Sequence, residues 1–375
     1  MAGIYLHIPF CKKACHYCDF HFSTSSQYKD EMVLAILSEL KLQKHYLNNE
    51  TIETIYFGGG TPSLLSADEI KAILNLIYEL FEVTANPEIT LEANPDDLNP
   101  QKVNELRQTL INRFSIGIQS FYEEDLFWMN RSHNSKEAES AVKRIQDAGY
   151  ENLTIDLIYG YPLLSDEKWI SNIFKAVSFS VPHISAYCMT VEPATALASF
   201  INKGRQPPMN ESQSAEQFLS LMRNLEAEGF EHYEISNFAK PGRYSRHNSN
   251  YWSGKSYLGI GPSAHSFKEN IRQWNIANNK TYINSIGTGV IPFEVEILTE
   301  ANRVNEYIMT SLRTAKGMDL QKIKSQYDQD YVTDLLNVSL KFFENNWIEQ
   351  KGDMITLTTN GKLYADHIAS ELFVE

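Results

Sequence analysis

Three of the chain's four cysteines fall in one short segment near its start, as Cys11, Cys15 and Cys18 in YLHIPFCKKACHYCDF. Three thiols on one tight loop can converge on a single metal site, because the thiolate is the form that ligates metal. The spacing CxxxCxxC leaves two chemistries open. A closed zinc site needs a fourth ligand, for which His16 and His21 are the neighbouring imidazoles. An iron–sulfur cluster held by three thiolates instead leaves one iron free for an exchangeable ligand. Cys188 stands apart in the apolar run HISAYCMTV and reads as a packed small hydrophobe.

A loop of this kind has to be positioned, and the elements around it alternate. The apolar run at residues 4–8 predicts a strand that Pro9 ends. Apolar residues at helical spacing over 27–46 predict a helix, followed by a strand at 54–60 that runs into three glycines. Residues 66–81 read as a helix with Ser66 as N-cap and Glu69 completing a capping box. Further strands are expected at 88–94, 114–119, 153–159 and 183–189, with helices between them and Gly149 as a helix stop. Six apolar strands alternating with helices predict an α/β fold, a parallel sheet that closes into a barrel or partial barrel. Functional residues of that architecture gather at the C-terminal ends of the strands. The polar residues agree with this. Cys11 follows strand one, residues 58–61 follow strand two, Glu92 and Asn94 end strand three, Gln119 ends strand four, and Asp156 lies in strand five.

Beyond about residue 193 the alternation stops. A helix at 212–228, a strand at 230–238 and a stretch rich in Gly, Tyr, His and Asn at 240–267 come next. A mainly helical part from 299 ends in a hairpin-like WIEQKGDMITLT, resembling a winged helix used for packing. Composition bounds the rest. Hydrophobic residues make up 43% and charged residues 21% of 375 residues, ordinary for a core-forming protein. The net charge of −14 with no long basic block argues against nucleic acid and against anionic lipid as partners. No apolar run reaches the roughly 20 residues of a membrane span. With no signal-peptide pattern before Cys11 and with reduced thiols, a cytoplasmic location is expected.

The motif CKKACHYC resembles the cluster motif of the radical S-adenosylmethionine family, in which three cysteines hold a 4Fe-4S cluster and the methionyl group chelates the fourth iron. YLHIPFC, YFGGGTPS, LEANP, GIQS, MNRSH and TIDLIYG, in that order, resemble the coproporphyrinogen III oxidase-like branch. The resemblance implies a partial (β/α)6 barrel over residues 1–192, an α+β extension over 193–298 and a C-terminal helical domain over 299–375. It implies Cys11, Cys15 and Cys18 as cluster ligands. Tyr5, Gly58, Gly59, Gly60, Thr61, Glu92, Gln119, Arg131 and Asp156 match positions that contact S-adenosylmethionine, with Arg131 facing its carboxylate. Glycines there let the backbone approach a ligand closely.

Within that branch the chain resembles the HemW-type heme chaperones more than the oxidases. Phe20 stands where the oxidases carry a further cysteine, and the first strand begins almost at Met1 with no preceding segment. HNSNYW resembles the HNxxYW motif of the chaperones. It implies heme as a third cofactor, with His247 as axial ligand and Tyr251 and Trp252 as flat apolar surface. Lys240, Arg243 and Arg246 just upstream are candidates to pair with heme propionates. The implied function is to carry heme to an acceptor protein, a membrane-bound respiratory protein among the candidates, by a monomer or weak dimer. A radical enzyme acting on a tetrapyrrole is the alternative.

Overall fold

Six parallel strands carry the alternation expected of a half-barrel: β1 (Ala2–Ile8), β2 (Ile52–Gly59), β3 (Val83–Ala93), β4 (Arg113–Gln119), β5 (Leu153–Tyr159) and β6 (His183–Cys188). They come from a computed structural model that describes residues 1–327 and 330–375. Each pairs with the next in sequence, as Tyr5 with Tyr56 and Asp156 with Ser185. The period-two pleat then sorts each strand. Ile4, Leu6, Ile55, Phe57, Ile89, Leu91, Ile116 and Ile155 are buried against the outer helices. Tyr5, Tyr56, Glu92, Ser115 and Asp156 take the other face, which lines the barrel interior.

Helices Lys29–Leu42, Ala67–Leu80, Pro100–Leu106, Ser135–Asp147 and Asp166–Ser178 supply the crossovers. Local chemistry fixes their ends. Ser66 and Glu69 form the expected capping box, and Ile70, Ile73, Leu74 and Ile77 of that helix face inward. Gly149 ends its helix at φ +89°, a conformation glycine adopts without steric penalty.

The barrel does not close on itself, because both of its flanks are taken by further strands. Residues 230–238 form a hairpin rather than one strand: β7 (Glu231–Glu234) and β8 (Asn237–Ala239), with β8 antiparallel to β6. The Glu234 carboxylate accepts from Ser236 N at 2.9 Å and from the Asn237 side chain, which fixes the turn. The stretch at 240–267 is ordered, containing the helix Arg246–Trp252, β9 (Tyr257–Ile260) and β10 (His265–Lys268). With β11 (Ile271–Asn275) and β12 (Phe293–Ile297), these extend the sheet to twelve strands on the other side of β1. β9 runs parallel to β1. Glu39 binds this extension to the first crossover helix. Fully buried, it accepts from Gly261 N at 2.8 Å, Asn275 at 2.6 Å, Gln43 at 3.1 Å and the Tyr282 hydroxyl. Residues 304–372 surround an apolar cluster of their own with a three-stranded sheet beside it.

Candidate functional site

The cysteine loop is pinned from three directions. A bridge between Phe10 and Ser23 closes its base, with Cys11 N donating to Ser23 O at 3.0 Å and Ser23 N to Pro9 O at 2.8 Å. From below, Lys12 pairs with Asp96 at 2.7 Å and also with Asp97. From the side, Met129 O accepts from His16 N at 3.1 Å, and the Asn130 side chain donates to Ala14 O at 2.7 Å. Part of the sequence MNRSH is thus a clamp for the loop. Asn130 takes positive φ to make it.

Arg131 of the same motif reaches the cysteines themselves. Its Nη1 donates to Cys15 Sγ at 3.4 Å, and its Nη2 to Asn94 Oδ1 at 2.7 Å and Gly117 O at 2.9 Å. Thr61 Oγ1 donates to Cys11 Sγ at 3.4 Å. Burial raises the thiol pKa of Cys11, and pushes that of Cys18 up to about 12. Buried thiols become thiolates only when a cation replaces the lost solvation, which is the role of a metal centre.

Single-ion zinc finds no support in the ligand geometry. His16 Nδ1 is bonded to Trp128 O at 2.8 Å and His21 Nε2 to Asn279 Oδ1 at 2.7 Å. Among the described residues no three His, Cys, Asp or Glu side chains stand close enough to hold one metal ion. Thiolates on a cubane each bind a different iron and so stand farther apart than ligands of one ion.

The strand ends beside the loop form a polar cradle. A Cβ on Gly60 would lie 2.7 Å from Phe10 O and 2.8 Å from Ile8 O, and one on Gly59 would meet the His7 ring at 2.7 Å. Gly59 also takes φ +102°. Tyr56 Oη donates to Glu92 Oε1 at 2.8 Å, and burial raises the Glu92 pKa to about 7. Asp156 accepts from Ser115 Oγ at 3.1 Å, and burial raises its pKa to about 6. Gln119 is held at φ +67°, strained for a side-chain-bearing residue, with Oε1 buried and unpaired among the described residues. Arg131 Nε is unpaired in the same way. Glycines that admit a backbone-hugging ligand, two carboxylates and two orphaned polar atoms fit a ligand with ammonium, carboxylate and ribose groups, as S-adenosylmethionine has.

Twelve of the fifteen expected site residues therefore gather at one end of the barrel. Cys11, Cys15, Cys18, residues 58–61, Glu92, Gln119 and Arg131 form its mouth, with Tyr5 and Asp156 deeper in. His247 lies at the opposite end. Its Nδ1 is 2.9 Å from Thr54 Oγ1, and its N–H and that of Arg246 donate to Glu88 at 2.9 and 3.0 Å. Its ring stacks on Tyr56 with centroids 4.9 Å apart. Burial lowers its pKa to about 3, so the imidazole is neutral. Tyr251, 48% exposed, packs instead on Trp252 and Tyr257, and Arg313 lies over the Trp252 ring. Lys240, Arg243 and Arg246 are engaged separately, at Glu228 O, Glu151 and Asn86 O respectively. Asn94, expected at the end of strand three, lies at the mouth beside Arg131, whereas Thr54, Tyr56 and Arg313 were not singled out from the sequence as site residues. Only Tyr56, inside YFGGG, carried a signal.

Residues 5–174 match the Radical SAM superfamily and residues 298–364 the HemN C-terminal domain. A protein named heme chaperone HemW from Bacillus subtilis is 32% identical over 98% of both chains. One of the same name from Mycobacterium tuberculosis is 32% identical, over 99% of this chain and 94% of its own. The chain belongs to the HemW family. An Escherichia coli HemW is 36% identical over 70% of this chain and 69% of its own. Coproporphyrinogen III oxidase (HemN) from Escherichia coli, described as a radical SAM enzyme, superposes with a TM-score of 0.87 over 100% of this chain and 90% of its own, at 22% identity. That likeness shows the shared fold. Membership of the HemW family, within the radical SAM superfamily, implies a 4Fe-4S cluster and S-adenosylmethionine as cofactors. No helix among the described residues is long and apolar enough to cross a membrane.

Proposed function

We propose that the protein is a heme carrier that binds heme through His247 and hands it to an acceptor protein, with cluster and S-adenosylmethionine at the other end of the same barrel. The observation that carries this is the state of the His247 ring. A histidine that ligates metal commonly uses its second nitrogen on an orienting partner, which fixes the tautomer. Thr54 Oγ1 occupies Nδ1, while Nε2 has no hydrogen-bond partner among the described residues. Burial keeps the ring neutral. In the tautomer whose Nδ1–H donates to Thr54 Oγ1, Nε2 carries the free lone pair that binds heme iron. The HemW relatives, named heme chaperones, agree.

Cys11, Cys15 and Cys18 would hold the cluster. Glu92, Asp156, Gln119, Arg131 and residues 58–61, with Tyr5 beneath them, would hold S-adenosylmethionine. When bound, that pair supplies one-electron chemistry. Arg131 places a cation beside the Cys15 thiolate, and Thr61 a hydroxyl donor beside Cys11. Tyr251, exposed on the outer face of the heme motif with Trp252 and Arg313 half-buried beside it, suits contact with porphyrin or acceptor.

A second reading is kept because the HemN oxidase shares the fold across the whole chain: a radical enzyme acting on coproporphyrinogen III or another tetrapyrrole. Phe20, 68% exposed where the oxidases carry a cysteine, weighs against it. Incubating anaerobically reconstituted protein with coproporphyrinogen III, S-adenosylmethionine and reductant separates the two. The carrier leaves the substrate intact, and formation of protoporphyrinogen would reverse the assignment.

A further inference from the structure

His247 and Glu92 stand at opposite ends of the barrel interior, yet one side chain touches both. Tyr56 stacks its ring on the His247 imidazole, 4.9 Å between centroids and 27° between planes. Its hydroxyl donates to Glu92 Oε1 at 2.8 Å. Tyr5 lies alongside, 6.1 Å from Tyr56 and 6.4 Å from His247. Two glycines leave the room that these half-buried rings occupy. A Cβ on Gly58 would stand 2.8 Å from the Tyr5 ring, 2.9 Å from the Tyr56 ring and 3.2 Å from Glu92 Oε1. A Cβ on Gly3 would stand 2.8 Å from Thr54 Oγ1 and 3.4 Å from the His247 ring. Packed rings of this kind have discrete arrangements rather than a continuum, so the plane of His247 sets the plane of Tyr56. The plane of Tyr56 in turn places the proton that orients Glu92.

We infer that Tyr56 is a positioning residue that couples His247 to the S-adenosylmethionine end of the barrel, so that a ligand at either end alters affinity at the other. The inference rests on the heme reading only for what occupies His247; the coupling between the two residues stands apart from it. Coupling of this kind is reciprocal by thermodynamic necessity. It requires a contiguous physical contact between the two ends, which the ring pair joined to one hydrogen bond supplies.

The test is a double-mutant cycle read as S-adenosylmethionine Kd, by equilibrium dialysis on the anaerobically reconstituted holoprotein. Tyr56→Phe keeps the ring and removes the hydroxyl, and His247→Ala removes the stacking partner. Each weakens binding by about five- to tenfold, the scale of one net hydrogen bond. The double variant is no weaker than the worse single one. His247→Phe, which restores a ring against Tyr56, returns the Kd to near the wild-type value and serves as the folding control. A wild-type Kd for His247→Ala, or effects that multiply in the double variant, would overturn the coupling. Adding heme to the wild type shifts the S-adenosylmethionine Kd several-fold, and Tyr56→Phe removes that shift. If heme saturates the protein and leaves the Kd unchanged, the coupling is wrong. If heme does not bind, the carrier reading fails while the cycle still decides the coupling.

Discussion

Glu92→Gln should make the protein more stable while it loses its ligand. Glu92 lies inside the barrel with Asp156 nearby, and burial, the largest cause, lifts its pKa from the ordinary 4.5 to about 7. The folded chain therefore holds this proton more tightly than the unfolded chain does. Between pH 4.5 and 7 the unfolded state has given up a proton that the folded state keeps, so stability falls as pH rises through that window and is flat above it. At about 1.4 kcal/mol per pH unit the loss reaches ~3 kcal/mol. Glutamine cannot ionise and escapes it. It keeps an amide oxygen for the Tyr56 hydroxyl, so little else should change at that contact. Urea unfolding of the reduced, cluster-free protein checks this, with wild type and variant compared at about pH 5 and about pH 8. The two should nearly coincide at the lower pH, and the variant should be ahead by ~3 kcal/mol at the higher. Equal stability at both, or a weaker variant at pH 8, would refute the buried-carboxylate argument. The expected loss of S-adenosylmethionine affinity in the same variant explains why a destabilising group sits there: binding sites hold strain that stability alone would remove.

Two further substitutions test the scaffold. Gly60→Ala places a Cβ within 2.9 Å of three backbone atoms, Ile8 O at the end of β1 and Phe10 O and N at the base of the cysteine loop, so the loop must move. Lower iron and sulfide content after reconstitution is expected, with a stability loss of about 1–3 kcal/mol. Gly204→Ala, at φ +65° with nothing within 4 Å, should keep full iron. Glu39→Ala leaves Gly261 N, Asn275, Gln43 and Tyr282 without their acceptor and should cost on the order of 3 kcal/mol, read by thermal unfolding. Glu39→Gln, which keeps one acceptor, should cost less.

The barrel and the cradle were legible because their signals are short and contiguous. Each of the six strands, six to eleven residues long, is built around a short apolar run, and the pleat then dictates which residues face inward. The mouth residues follow strand ends, which sequence marks with Pro9, the glycines of YFGGG and Asn94. The other flank was hidden for equally physical reasons. β9, β10 and β11 are four or five residues long, amid glycine, serine and asparagine, and β9 finds its partner in β1 at the far end of the chain. No local period announces a pairing of that separation. The hairpin of β7 and β8 turns on the Glu234 carboxylate bonded to Ser236 N, which a strand propensity over 230–238 does not register.

The heme motif shows a different limit. HNSNYW reads as one surface, but the helix Arg246–Trp252 turns His247 toward the barrel interior and Tyr251 outward. Adjacent basic residues likewise diverge around Gly242, which takes φ +74°. Thr54 and Tyr56 look like ordinary strand residues until the fold sets His247 against them.

Heme on His247 is tested by anaerobic heme titration of wild type and His247→Ala, followed by absorbance in the Soret region. The wild type should bind heme saturably with a six- or five-coordinate imidazole spectrum. The variant should show an altered spectrum and weaker affinity. Identical spectra and affinities for the two proteins, or no saturable binding by either, would contradict it.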